Sequence, residues 1–222
     1  SETEGIERIR LGSLEPRIIT DEFLSFLSKT PKFCPHFHLS LQSGSDSVLK
    51  RMNRHYDTAE YLDKVKRIRR YFEHPAITTD VITGFPGETA EEFEETESFL
   101  EETDLYEVHV FKYSRRAGTA ADKMEGQLSD REKTERSRIL IAEGSKRTEK
   151  FIRYYENRET EVLFEEKEEI NGDVFWTGYN REYVKCACKS GEDLKNRIVR
   201  GRIEGVLPDE KERGSVVLVF YI

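Results

Sequence analysis

Cysteine is scarce in this chain of 222 residues, with Cys34, Cys186 and Cys188 making up the whole set. An odd, widely spaced trio argues against a disulfide framework and suits a reducing compartment. Long apolar runs are missing too. No stretch approaches the roughly 18 consecutive apolar residues of a membrane-spanning helix, so no membrane partner is expected. The opening Ser1-Glu2-Thr3-Glu4-Gly5 shows no basic segment followed by an apolar one, and no secretory leader is expected. Positive charge is also in deficit. A formal charge of −8 excludes a uniformly basic nucleic-acid binder, though not a local basic face. Neither a Gly-x-Ser-x-Gly elbow nor a Walker lysine occurs, which removes the serine-hydrolase and P-loop readings. What remains is a chain with 36% hydrophobic and 11% aromatic residues, enough to fold and too much for disorder. A cytoplasmic protein is the expectation.

The first half alternates strand-like and helix-like segments. Arg8 to Glu15 reads as a strand, closed by Pro16. Thr20 caps a short helix carrying Phe23, Leu24 and Leu27 on one stripe. Phe37 to Gln42 is a second strand, followed by Ser43-Gly44-Ser45 and a helix through Met52. Thr58 is expected to cap a longer helix with Tyr61, Leu62, Val65, Ile68 and Phe72 near helical spacing. Ala76 to Thr83 is a third strand, and Thr89 with Glu92 makes a capping box. Val108 to Tyr113 is a fourth strand. Such alternation implies a parallel sheet of βα units, an α/β fold. Ser129 and Glu132 form another capping box, opening a charged helix to about Asn157. Five short strands follow: Glu161 to Phe164, Val174 to Gly178, Tyr183 to Cys188, Ile198 to Gly205 and Val216 to Tyr221. Their number and length predict a small OB-like barrel. The domain reading is 1–128, a connecting helix over 129–157, and 158–222.

Ligands of parallel sheets gather at the carboxyl ends of the strands. Here those ends read Ser13-Leu14-Glu15-Pro16, Gln42-Ser43-Gly44-Ser45, Gly84-Phe85-Pro86-Gly87-Glu88 and Tyr113-Ser114-Arg115-Arg116. Along the second strand, period two puts Cys34, His36, His38, Ser40 and Gln42 on one face. Phe37, Leu39 and Leu41 take the other, suited to packing under helices. Cys34-x-His36-x-His38 has the donors of a zinc site. No fourth ligand has suitable spacing and Pro35 disturbs the strand start, so a polar lining is favoured and no metal ligand is assigned. Asp80 interrupts an otherwise apolar strand. It is either a ligand contact or an internal partner for Arg10 or Arg115. Cys186-Ala187-Cys188 reads as structural.

At these motifs the sequence resembles the methylthiotransferase family of radical S-adenosylmethionine enzymes. The resemblance rests on Arg8 to Pro16, Leu41-Gln42-Ser43-Gly44-Ser45, Val48 to Met52, Thr79 to Thr89 and His109 to Thr119, in that order and spacing. Ser13-Leu14-Glu15-Pro16 resembles the subgroup acting on threonylcarbamoyladenosine in tRNA. The barrel, with Thr177-Gly178-Tyr179 and Glu182-Tyr183-Val184-Lys185, is similar to the family's RNA-binding TRAM domain. The resemblance implies the second half of a partial β/α (TIM-like) barrel, with S-adenosylmethionine as cofactor. Ser40, Gln42 and Ser43 would face its ribose or methionyl part, and Gly84 and Phe85 its adenine. Glu15, Asp80, Tyr113 and Arg115 would line the catalytic cavity. Ser40 and Lys112 stand where the family commonly has proline. The family's Cys-x-x-x-Cys-x-x-Cys, which holds its 4Fe–4S cluster, does not occur in these residues. The clusters therefore belong to a full-length parent, and this C-terminal half is expected to be inactive alone.

Between Arg181 and Arg202 basic residues outnumber acidic ones on an otherwise acidic chain. Tyr183 falls inside that stretch and Tyr179 just before it, and aromatic faces stack unpaired bases. Tyr179, Tyr183, Lys185, Arg197 and Arg200 are therefore expected to contact RNA, with a tRNA anticodon region as partner. The run Lys64, Lys66, Arg67, Arg69 and Arg70 reads as a solvated helix face. Two other functions compete: a non-catalytic RNA-binding module, and a sibling enzyme modifying a ribosomal protein. An uncovered sheet edge is expected to favour a homodimer.

Overall fold

The computed structural model describes residues 3–209 and 215–221, so Ser1 and Glu2 of the acidic opening lie outside it. Its elements run β1 (Ser13–Leu14), α1 (Asp21–Ser28), β2 (His36–Leu39), α2 (Asp46–Arg51), α3 (Thr58–Tyr71), β3 (Ala76–Thr83), α4 (Ala90–Thr103), β4 (Glu107–Lys112) and α5 (Asp130–Arg153). They continue through β5 (Glu159–Ile170), β6 (Asp173–Tyr179), β7 (Lys185–Cys188), β8 (Arg197–Asp209) and β9 (Ser215–Tyr221). No helix of the described residues is long and apolar enough to cross a membrane. The chain forms two compact units: one of residues 1–33 and 37–144, the other of residues 34–36 and 145–222.

The first unit is a parallel sheet in the order β1-β2-β3-β4. Its two faces differ because strand side chains alternate. Ile77, Thr79 and Val81 of β3 are buried, as are Phe37 and Leu39 of β2. Together with Leu24 and Leu27 of α1, Tyr61, Val65 and Ile68 of α3 and Phe93, Phe99 and Leu100 of α4, the apolar members of that set make the core. Each fully buried side chain of that kind contributes about 1.5–3 kcal/mol relative to exposure. The β2–β3 seam is fastened by a side chain: Thr79 Oγ1 donates to Leu39 O (2.6 Å) and accepts from Leu41 N (2.9 Å). The other face carries Thr78, Asp80 and Ile82 beside Glu107, His109 and Phe111, with Asp80 opposite His109 and Ile82 opposite Phe111.

The expected α/β alternation holds, with local corrections. Strand one shrinks to two residues, leaving Ile9 in an isolated bridge to Phe33. Gly12, which has no side chain to pack, interrupts the run. The α3 cap is Asp57, not Thr58. Asp57 accepts from Glu60 N at 2.8 Å, and the Glu60 carboxylate returns to Asp57 N in a capping box. Thr20, Thr89 and Ser129 cap as expected.

The second unit contains a closed five-stranded barrel in the order β5-β6-β7-β9-β8. Val162, Phe164, Trp176, Cys186, Cys188, Ile203, Leu218 and Phe220 are buried in this unit. Strand β5 runs six residues beyond the expected end. The charged run from Glu165 to Glu169 has poor strand propensity, yet it pairs with β6 across the Asn171-Gly172 turn. Both turn residues have positive φ (52° and 87°), as a two-residue type I′ hairpin requires.

Candidate functional site

At the carboxyl ends of β3 and β4 lies a cavity of about 460 Å³, lined by Gln42, Asp80, Ile82, Phe111, Tyr113 and Arg116 among others. That volume is within the range of small-molecule sites. Its walls follow from the alternation of β3 and β4, whose face away from the core supplies Asp80, Ile82 and Phe111. Gln42 continues β2 past its last strand residue and bridges to Val81, donating its N–H to Asp80 O (2.8 Å). It does so at φ 77°, a left-handed conformation uncommon for glutamine and often kept at functional sites. Phe111 is half exposed.

Tyr113 is the sharpest feature. Its N–H donates to Thr83 O (2.8 Å), and its ring meets the buried Phe85 edge to face at 5.4 Å. Its hydroxyl oxygen is buried without a hydrogen-bond partner among the described residues. A buried hydroxyl left unpaired is costly, so this atom marks a strained polar group in the wall of the cavity.

The two glycine turns nearby are shaped by close approach. Gly44 presses on α4, and a Cβ there would lie 2.8 Å from Thr96 Cα. Its N–H donates to Thr96 Oγ1 (3.1 Å), and Ser43 Oγ lies 3.3 Å from the same oxygen. Gly84 sits at φ +71°, and a Cβ there would lie 2.2 Å from Lys133 Cγ. Its N–H donates to the Glu88 carboxylate (2.9 Å), which is ion-paired with Arg136. Burial pushes the Glu88 carboxyl up from its ordinary range, against the pull of Arg136 and the Gly84 N–H.

The sequence-expected residues therefore separate. Gln42, Asp80 and Tyr113 line the cavity, and Phe85 braces Tyr113. Ser43 and Gly84 shape the turns. Ser40 acts through its backbone, its N–H bonded to Leu14 O and its carbonyl accepting from Tyr56. Glu15 is exposed at the start of a 3-10 turn and lines no part of the cavity. Arg115 faces solvent and pairs with Asp122 at 2.5 Å, so it is not the partner of Asp80. Asp80 instead meets His38, with Nε2 to Oδ2 at 3.3 Å.

Sequence reasoning placed Arg51 inside the Val48–Met52 motif but gave it no role. This residue binds the Glu92 carboxylate with both terminal nitrogens (2.7 and 2.5 Å) and reaches Gly87 O (3.2 Å). It thereby ties α2 to the turn and helix that follow β3. The Arg51 guanidinium, together with hydrogen bonds from Ser47 and Thr89 N, holds the Glu92 carboxyl down at about 2. The signal available was the Thr89–Glu92 capping box, which marked Glu92 but not its distant partner.

In the barrel, Tyr179 and Tyr183 stack at 4.2 Å with ring planes 8° apart. Lys185 lies directly across from Tyr179. Tyr183 holds φ 65°, again left-handed. The expected basic residues do not form one face. Arg200 lies opposite Glu161 and Arg197 opposite the buried Phe164, so they project from opposite sides of β8. Each also has a carboxylate partner: Lys185 with Glu168 (2.8 Å), Arg197 with Glu192 (3.0 Å) and Arg200 with Glu159 (2.8 Å).

With this geometry in place, comparisons with known proteins show what the chain resembles. Residues 3–100 match the radical SAM superfamily model. The threonylcarbamoyladenosine tRNA methylthiotransferase MtaB of Bacillus subtilis is 40% identical over 90% of this chain and 45% of its own length. A tRNA-2-methylthio-N(6)-dimethylallyladenosine synthase of Clostridium botulinum is 41% identical over 73% of this chain and 36% of its own. This chain is thus similar to the tRNA methylthiotransferases and, over residues 3–100, to the radical SAM superfamily. It spans about half the length of the curated relatives it matches. Coproporphyrinogen III oxidase (HemN) from Escherichia coli, described as a radical SAM enzyme, shares the fold, with TM-score 0.53, 22% identity and coverage of 63% of this chain and 32% of that one.

Proposed function

We propose that this chain supplies the nucleoside-holding wall and the RNA-gripping module of a cytoplasmic tRNA methylthiotransferase. The nucleotide it modifies is threonylcarbamoyl-modified adenosine beside the anticodon. The observation that carries the reading is the cavity at the ends of β3 and β4, lined by Gln42, Asp80 and Tyr113. The donor set suits S-adenosylmethionine. Ile82, Phe111 and Tyr113 offer flat apolar contact for an adenine, while Gln42, Asp80, Ser114 and Arg116 offer polar atoms for a ribose and amino-acid tail. When bound, that cofactor supplies the family's radical chemistry. The 4Fe–4S cluster does not fit this chain's own thiols: Cys34 precedes β2, Cys186 and Cys188 lie in β7, and all three are buried. The chain by itself is accordingly proposed to be inactive.

The choice of threonylcarbamoyladenosine rests on Ser13-Leu14-Glu15-Pro16 and on the MtaB likeness. Nucleoside mass spectrometry of tRNA from cells lacking the gene tests it. The methylthio group should vanish from threonylcarbamoyladenosine and persist on isopentenyl-type adenosines; the opposite pattern overturns the subgroup. The stacked Tyr179–Tyr183 pair favours a second reading, an RNA-binding module without catalysis. That reading predicts intact tRNA modification in the same cells, whereas loss of a methylthio group from a ribosomal protein would point to the sibling enzyme.

A further inference from the structure

His38, Asp80 and His109 sit on the adjacent strands β2, β3 and β4, on the sheet face turned away from the helices. One ligand atom from each lies within 4.8 Å of the other two. Parallel register makes Asp80 and His109 direct neighbours. The His38 and His109 rings stack at 5.8 Å between centroids with planes 27° apart. His38 is oriented from behind: its Nδ1 lies 2.9 Å from Thr78 Oγ1, leaving Nε2 aimed at Asp80 Oδ2 at 3.3 Å. Glu107 stands 3.8 Å from His109 Nδ1, a place from which it can orient the second ring. His38 is thus held as metal-ligating histidines are, one nitrogen fixed by an oxygen and the other left for the ion.

We propose that these three side chains form a binding site for a divalent transition-metal cation, zinc being the natural probe. Two imidazoles and a carboxylate suit borderline cations such as zinc, cobalt and ferrous iron over calcium or magnesium. Ligands about 2.0–2.1 Å from a tetrahedral ion lie roughly 3.3–3.4 Å apart, by the bond lengths typical of zinc. The His38–Asp80 pair already has that separation. His109, the most exposed of the three, closes the remainder by side-chain rotation. Asp80 also lines the cavity described above, whereas the two histidines stand outside its lining. A plain His38–Asp80 ion pair explains two of the three residues; it gives no reason for a second imidazole stacked on the first beside its own acidic neighbour.

Titration calorimetry of the whole chain with zinc should show one site, and cobalt in its place should give visible absorbance without a sulfur-to-metal charge-transfer band. His109→Ala, at an exposed position where folding should persist, should weaken zinc by at least about 100-fold, the upper range for losing even an outer partner of a metal ligand. Asp80→Asn serves as the second variant, with circular dichroism confirming that each is folded. No heat on titration would overturn the site. So would equal affinity in both folded variants, or a thiolate band showing that cysteine holds the ion.

Discussion

The Arg51–Glu92 pair allows a stability prediction with a definite sign. Glu92 accepts from two Arg51 nitrogens, from Ser47 Oγ at 2.5 Å and from Thr89 N at 3.0 Å. Its carboxyl falls from 4.5 to about 2. A folded-state value below the unfolded one adds stability that is fully present above pH 4.5 and is lost as pH falls toward 2. Taken whole, the shift corresponds to about 3 kcal/mol at neutral pH. Arg51 keeps 31% of its side chain exposed, so screening reduces this to about 1–2 kcal/mol. Glu92→Gln should therefore lower the melting temperature of the sheet unit by roughly 4–8 °C at pH 7, and the gap to the parent should close near pH 2. Glu92→Ala should cost more, because it strands a guanidinium whose Nε is already buried without a partner among the described residues. The sole tryptophan, Trp176, lies in the barrel, so far-UV circular dichroism is the appropriate probe. A Glu92→Gln deficit of the same size at pH 7 and pH 2.5 would refute the argument, as would a double-mutant cycle with Arg51→Met showing no coupling.

Three further outcomes follow from single contacts. Tyr113→Phe should leave stability unchanged or raise it by up to about 1 kcal/mol, because the lost hydroxyl has no partner among the described residues, while S-adenosylhomocysteine binding should weaken about 3–10-fold; unaltered binding would mean the hydroxyl does not meet the ligand. Gly84→Ala should destabilise by about 1–3 kcal/mol in urea denaturation, since it needs a left-handed residue and space already occupied by Lys133; a neutral result would show that the turn can shift. For the barrel, Tyr183→Ala should weaken an anticodon stem-loop by the equivalent of about 1–3 kcal/mol of base stacking; filter binding showing no change would remove the stacked tyrosine pair from the RNA contact.

The fold was legible where pattern and punctuation agreed. Strand β3 matches its expected bounds because Pro75 and Gly84 bracket an apolar run whose alternate residues reach the core. The capping boxes at Thr89 and Ser129 were readable because a box is local chemistry, complete within four residues. Strand β5 was underestimated because its charged half has no local reason to be extended. Its pairing is set by the Asn171-Gly172 hairpin and the partner strand, a nonlocal cause that outweighs propensity. Thr58 lost the cap to Asp57 for a comparable reason. Thr58 donates its own N–H to the Asp46 carboxylate (2.8 Å), a contact from another helix.

The cavity lining was legible by motif and opaque by partner. The strand-end signatures led to Gln42, Asp80 and Tyr113, yet the same signatures also selected Ser43 and Gly84, whose chemistry is spent on the turns themselves. A glycine or serine at a strand end serves either purpose, and only the distance to α4 or Lys133 separates them. Asp80 shows the limit most clearly. Its charge in an apolar strand demanded a partner, and sequence offered two arginines, whereas the register of three parallel strands supplied two histidines. His109 is 29 residues beyond Asp80 in sequence, and no local pattern connects them. Parallel strands need long crossovers, so the residues that meet across such a sheet are always far apart in the chain. For this architecture, burial and turn chemistry can be read along the sequence, while the pairing of charged groups on the open face comes from strand register alone.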